Sequence, residues 1–215
     1  MKVVEVFSSI DGEGKRTGLP VTFVRLYGCN LECSYCDTRY ACEDGGYVEM
    51  SADEIVDKVY DLGIKAVTVT GGEPLIHQGI EELVLKLAHN GYDVNIETNG
   101  SVPLGDFIRI PHVWVTMDWK SPSSGMHSRN CVDNLRWLRS KDVLKFVVGS
   151  ESDLDDMLET LHGMRGMLPQ IYVSPIFGQI EPSEIVDYVL QHRLYIVKVQ
   201  VQLHKVIWPA DMRGV

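Results

Sequence analysis

The chain is short of positive charge: 20 Lys and Arg stand against 30 Asp and Glu, a formal net charge of -10 over 215 residues. That balance opposes a broad electrostatic grip on nucleic acid or on an anionic membrane, which is built from neutralising cations. Long apolar runs are missing as well. Residues 1–20 carry no apolar leader core, and nothing approaches the roughly 20 consecutive apolar residues of a bilayer span, so a soluble, cytoplasmic chain is expected. There is no internal repeat, low-complexity tract or Pro/Gly/Ser-rich linker. With 45% hydrophobic residues, one sizeable core and a single domain over residues 1–215 are expected. The seven histidines show no His-x3-His spacing, and five cysteines are an odd number for a disulfide framework.

The chemistry that is present is concentrated. Cys29, Cys33 and Cys36 fall within eight residues, directly after the β-rich run 21–27. Three thiolates on one loop can ligate three irons of a cubane cluster and leave the fourth iron open to an exogenous ligand. A structural zinc site wants four protein ligands, in pairs, and no second Cys-x2-Cys pair follows here. Cys42 and Cys131 stand alone and read as small hydrophobes. An anionic substrate would need a local basic pocket despite the acidic total, for which Arg25, Lys120 and Lys145 are candidates.

Short β-rich runs alternate with helical periodicity along the whole chain. Strands are predicted at 3–7, 21–27, 66–70, 93–97, 113–117, 143–148, 171–173 and 195–203, and helices at 51–62, 79–90, 131–139, 152–164 and 182–192. Ser51 followed by Glu54 forms a capping box, Pro182 opens a helix, and Gly63 and Gly91 sit where helices stop. Such alternation implies right-handed βαβ crossovers and a mostly parallel sheet. About six units make a partial (β/α)6-type barrel rather than a closed eight-fold one. Ligands in such folds bind beyond the carboxyl ends of the strands. The informative segments follow predicted strands: the cysteines, Gly71-Gly-Glu-Pro74, Thr98-Asn-Gly100, Asp118-Trp-Lys120 and Ser174-Pro-Ile-Phe177.

The cysteine spacing, with Gly71-Gly-Glu-Pro74 one βα unit later, resembles the radical S-adenosylmethionine superfamily. Ser8-Ser-Ile-Asp-Gly-Glu-Gly14, Phe23-Val-Arg25, Gly28-Cys-Asn30, Cys36-Asp-Thr38 and Gln202-Leu-His-Lys205 with Trp208 narrow it to similarity with the 7-carboxy-7-deazaguanine synthase family, over nearly the entire chain. That resemblance implies an enzyme of 7-deazapurine and queuosine biosynthesis. It implies conversion of 6-carboxy-5,6,7,8-tetrahydropterin to 7-carboxy-7-deazaguanine with loss of ammonia, an external electron donor and a homodimer.

The residues it implicates carry over as follows. Cys29, Cys33 and Cys36 ligate a 4Fe-4S cluster, and Thr38 ligates magnesium. Tyr35, Cys36, Asp37, Gly72, Asp118, Trp119, Lys120, Ser174, Pro175, Ile176 and Phe177 line S-adenosylmethionine. Ile10, Asp11, Gly12, Arg25 and Thr70 contact the pterin. Many members have Gln at the position of Asp11 and Ser-Pro-Lys at that of Asp118-Trp-Lys120. His204, in a late β-like stretch, reads as a core residue, and Glu13 reads equally well as a surface turn carboxylate or a pterin contact. Two other classes stay open on the residues alone. A glycyl-radical activase uses the same cysteine spacing, and a zinc-stabilised binding module would use the same thiols.

Overall fold

The structure, a computed structural model, describes residues 1–43, 46–209 and 212–214. Its strands are β1 (Lys2–Ile10), β2 (Pro20–Leu26), β3 (Val48–Glu49), β4 (Ala66–Gly71), β5 (Asp93–Thr98), β6 (Val113–Trp119), β7 (Val143–Val148), β8 (Gln170–Pro175) and β9 (Val197–Val199). The α-helices are α1 (Ala52–Leu62), α2 (Ile80–His89), α3 (Glu151–Gly163), α4 (Pro182–Gln191) and α5 (Leu203–Ile207). The strands make one sheet in the order β3-β1-β2-β4-β5-β6-β7-β8-β9. Pairing is parallel from β2 through β9, and β1 runs antiparallel to β2 and β3. The expected partial barrel of mostly parallel strands is therefore present, with an antiparallel hairpin at one side.

Helix ends follow the local chemistry. The Ser51 hydroxyl accepts from the Glu54 amide while Glu54 accepts from the Ser51 amide, and Gly63 closes α1 at φ 72°. At the start of α4, opened by Pro182, the Glu181 amide donates to the Glu184 carboxylate at 2.8 Å. Helix-facing positions of the strands, such as Val67, Val69, Val94, Ile96, Leu144 and Phe146, join Ile55, Val59, Leu83, Leu87, Met157 and Ile185 in one apolar core. Each fully buried side chain of this size contributes roughly 1.5–3 kcal/mol.

The alternate positions face inward and are buried but polar: Thr68, Thr70, Asn95, Thr116, Lys145 and Ser174. A parallel sheet covered on both faces usually reads as apolar throughout. Here the period of two divides a packing face from a chemical one.

The β1–β2 connection folds onto this inner face. Arg16, 6% exposed, donates to Asp11 at 2.8 Å, to the Thr68 hydroxyl at 2.6 Å and to the Val67 carbonyl at 3.2 Å, and reaches Asp93 at 3.3 Å. Lys15 lies 3.7 Å from the centre of the Trp114 ring, which with Val143 and Tyr172 forms a small apolar floor.

Two predicted elements differ in form. The segment predicted as strand 195–203 is only the three-residue edge strand β9, after which α5 begins at Leu203. The Leu203 amide donates to the Gly12 carbonyl at 2.9 Å, so the chain is drawn off the sheet edge towards the β1–β2 connection. His204 accordingly sits on a helix, not in a strand core. The helix predicted at 131–139 is a 3-10 turn, Val132–Arg136. Asn134, buried at its centre, donates to the carbonyls of Gly100 and Val102 and accepts from the Leu104 amide, which ties the turn to the β5–β6 connection. No described helix is long and apolar enough to cross a membrane.

Arg16→Met strands the Asp11 carboxylate in a buried site and is expected to lower unfolding stability by about 3–5 kcal/mol. Asp11→Asn combined with Arg16→Met should recover most of that loss, and urea denaturation of both variants measures it.

Candidate active site

The cysteine loop leaves β2 at Gly28, whose φ of 93° suits glycine. It is held from several sides. The Gly28 amide donates to Ala41 at 2.9 Å, and the Glu73 amide donates to the Gly28 carbonyl at 2.9 Å. The Ser34 amide donates to Ser124 at 3.0 Å and its hydroxyl to Ser123 at 2.6 Å, fastening the loop to the segment after β6. Cys33 is buried, Cys29 half-buried and Cys36 exposed.

The Gly-Gly turn has a structural reason beside any ligand. A Cβ on Gly72 would lie 1.9 Å from the Gly28 carbonyl oxygen, and one on Gly71 would lie 2.1 Å from that of Leu26. The turn after β4 therefore packs backbone against backbone on the root of the cysteine loop. Glu73, completely buried, accepts from the Leu75 amide, the Thr98 hydroxyl and the Asn99 amide, joining this turn to the one after β5. Burial raises its carboxyl to about 7, against those hydrogen bonds.

The thiols differ in ionisation. A hydrogen bond from Cys42 lowers the Cys29 thiol to about 6, against the upward push of burial. Burial raises Cys33 and Cys36. The Lys120 ammonium pulls all three downward. Three thiols on one loop, under the influence of one buried cation, are of the donor type that a three-ligand iron-sulfur cluster takes. The buried Tyr35 hydroxyl has no hydrogen-bond partner among the described residues, leaving a donor for a bound group.

Charges alternate across the inner face. Asp118 accepts from Lys120 at 3.0 Å and lies 3.2 Å from Lys145, and these two cations outweigh burial and hold its carboxyl below the usual range. Burial alone would lower Lys145, but Asp118, Glu13 and Glu97 hold it well above its ordinary value. Glu13 accepts from Lys145 at 3.1 Å, from the Ser174 hydroxyl at 2.8 Å and from Gln202 at 3.4 Å. Thr70 donates to Glu97 at 2.9 Å, and burial pushes Glu97 up to about 7. Arg25 pairs with Glu5 at 2.7 Å.

Most of the residues singled out in the sequence meet along this face and its rim, with exceptions. The Trp119 side chain belongs to the helix-side core and donates to Asp156 on α3 at 3.2 Å, so it points away from the inner face. The Asp11 carboxylate is taken up by Arg16. Phe177 is 68% exposed, while Ile176 is buried just beyond β8 and Pro175 ends that strand. Thr38 donates to Asp37 at 2.9 Å, and Ile10 ends β1. Gly12 lies under His204, whose ring would collide with any Cβ there.

Three contributors were given no role of their own from the sequence, and Glu13, left there between a turn carboxylate and a pterin contact, is a hub of the inner face. Lys205 reaches Asp37 at 3.2 Å and overrides burial to hold that carboxyl low. Glu97 carried a usable signal, an acid at an inward position of a core strand. Asn99, inside the noted Thr98-Asn-Gly100, donates to the Cys29 sulfur at 3.5 Å.

Two outcomes follow from this geometry. Gly72→Ala forces the cysteine loop off the turn, with an expected cost of about 3 kcal/mol and reduced iron uptake on anaerobic reconstitution. Gly163→Ala, where a Cβ meets nothing within 4 Å, should be neutral or mildly stabilising in the same measurements. Glu97, raised from 4.5 to about 7, stays protonated in the folded state where the unfolded chain has already ionised. Its contribution is complete below the unfolded value and is lost as pH rises through about 7. Melting temperature of the metal-free Glu97→Gln variant should therefore fall less between weakly acidic and weakly alkaline pH than that of the parent, Glu73 leaving a residual slope.

Residues 23–173 match the family described as the Radical SAM superfamily. The chain is 44% identical to the 7-carboxy-7-deazaguanine synthase of Clostridium acetobutylicum, over 100% of this chain and 99% of that protein. It is 39% identical to that of Chlorobaculum tepidum, over 100% and 97%, and 34% identical to that of Thermoplasma acidophilum, over the full length of both. The crystal structure of QueE from Escherichia coli shares the fold at a TM-score of 0.71 and 24% identity, covering 93% of each chain. The inner-face chemistry and the three-thiol loop thus stand in a chain that belongs to the 7-carboxy-7-deazaguanine synthase family of radical S-adenosylmethionine enzymes.

Proposed function

We propose that this chain contracts the ring of 6-carboxy-5,6,7,8-tetrahydropterin to give 7-carboxy-7-deazaguanine and ammonia. The observation that carries the reading is a three-thiol loop set over an inner sheet face where carboxylates and cations alternate. Membership of the family implies a 4Fe-4S cluster and S-adenosylmethionine. Cys29, Cys33 and Cys36 would hold that cluster. Bound there, the two groups would supply the radical chemistry that a ring contraction at carbon requires.

The protein's part is orientation and charge. Arg25 and Lys145 suit the substrate carboxylate, since both cations face inward beside hydrogen-bonded acids that fix their direction. Glu13, Glu97 and Thr70 offer acceptors to the N–H edge of the pterin. Ile10, Asp11 and Gly12 would contact it through backbone, the Asp11 carboxylate being engaged by Arg16. Tyr35, Cys36, Asp37, Gly72, Asp118, Lys120, Ser174, Pro175 and Ile176 would surround the adenosyl group, with Trp119 contributing backbone and Phe177 the outer rim. Thr38, next to Asp37, offers oxygen ligands for magnesium. The same reading carries an external electron donor, a homodimer, a single domain and a cytoplasmic location.

Anaerobically reconstituted protein should form a product with the mass of the deazaguanine from 6-carboxytetrahydropterin, given S-adenosylmethionine, dithionite and magnesium. Cys33→Ala should abolish it. A fully loaded cluster that makes no product, or S-adenosylmethionine cleavage that depends on a glycine-loop peptide, would overturn the reading.

A further inference from the structure

A closed ring of three side chains joins the cysteine loop to the turn after β5. Asn99 donates through Nδ2 to the Asn30 carbonyl oxygen at 3.0 Å, Asn30 donates to the Ser101 hydroxyl at 2.8 Å, and Ser101 donates to Asn99 Oδ1 at 2.6 Å. The Ser101 amide also donates to Asn99 Oδ1, at 2.9 Å. With two donors directed at Oδ1, the amide is locked so that Nδ2 faces the loop, where it lies 3.5 Å from the Cys29 sulfur. Asn99 is only 7% exposed, and its backbone amide is clamped at 2.6 Å by buried Glu73. This donor has little freedom to turn away. The Leu31 amide points at the same sulfur at 3.4 Å.

We infer that Asn99 sets the reduction potential of the cluster, through a fixed N–H dipole aimed at the sulfur of one ligand. The inference rests on the reading of Cys29 as a cluster ligand. Reduction adds negative charge that is shared with the ligand sulfurs, so a donor directed at one of them stabilises the reduced form more than the oxidised form. An acidic chain of net charge -10 opposes reduction by its overall field, and a local donor offsets that opposition where the electron arrives. Asn99 is thus a positioning residue. It touches a ligand of the cluster, not the pterin.

Redox titration of the reconstituted cluster, followed by electron paramagnetic resonance, tests this without reference to turnover. Asn99→Ala removes the donor, and Asn99→Asp replaces it with a carboxylate of the same shape that can still accept from Ser101. Both should shift the midpoint to lower potential, with a ratio of reduced to oxidised cluster about tenfold smaller at fixed potential, the worth of one hydrogen bond to a charged group. Asn30→Ala breaks the ring but leaves Ser101 to orient Asn99, and should leave the midpoint near that of the parent. If Asn99→Asp takes up no iron, Asn99→Ala supplies the measurement. An unshifted midpoint in a loaded Asn99 variant, or an equal shift in Asn30→Ala, overturns the inference and leaves the ligand assignment standing. A parent chain that loads no cluster sinks the assignment and the inference with it.

Discussion

The contact on which the site depends is the backbone-to-backbone seam between Gly28 and the Gly71-Gly72 turn. A reactive centre held by three thiols on a loop needs that loop fixed, since misplacement by about 1 Å is enough to cost a large share of a rate. Here the loop root is seated directly on the neighbouring turn, with the Glu73 amide donating to Gly28 and no room for a side chain between them. Glu73 then passes the constraint to the turn after β5. Three consecutive strand ends become one rigid rim, and their glycines are required by the packing whether or not a ligand is bound.

Below that rim the molecule accepts a high density of buried charge. Asp118, Lys120, Lys145 and Glu13 are compensated as a group, each cation facing at least one acid. Buried charges persist only when paired in this manner. Glu97 differs, since its one described hydrogen bond comes from a neutral hydroxyl, and burial raises it accordingly. The inner face therefore holds both fully paired charges, which stiffen it, and a carboxyl that is neutral at low pH and available to a ligand.

Much of this was legible in the chain. The capping box at Ser51, the stop at Gly63 and the alternation of β-rich and helical runs depend on neighbours within a few residues, and all three appear in the structure. The Cys29, Cys33 and Cys36 spacing was legible for the same reason, as was the gathering of post-strand segments at one end of a parallel sheet. The strand predicted through residue 203 failed because its periodicity is real but the hydrogen bond from Leu203 to Gly12, far away in sequence, redirects the chain. The direction of the Trp119 side chain was not legible, since proximity to Lys120 in sequence says nothing of which sheet face a side chain takes.

By itself, the order of residues determined the architecture, the thiol loop and the family, because each is written in short spacings and local propensities. Only the tertiary structure decided that Glu13 is a hub, that Lys205 latches Asp37 and that Asn99 faces Cys29. Glu13 meets Lys145, Ser174 and Gln202 across 132, 161 and 189 residues of chain. Such meetings are set by strand register and by which face each position takes in the assembled sheet. A local pattern of residues carries no record of either.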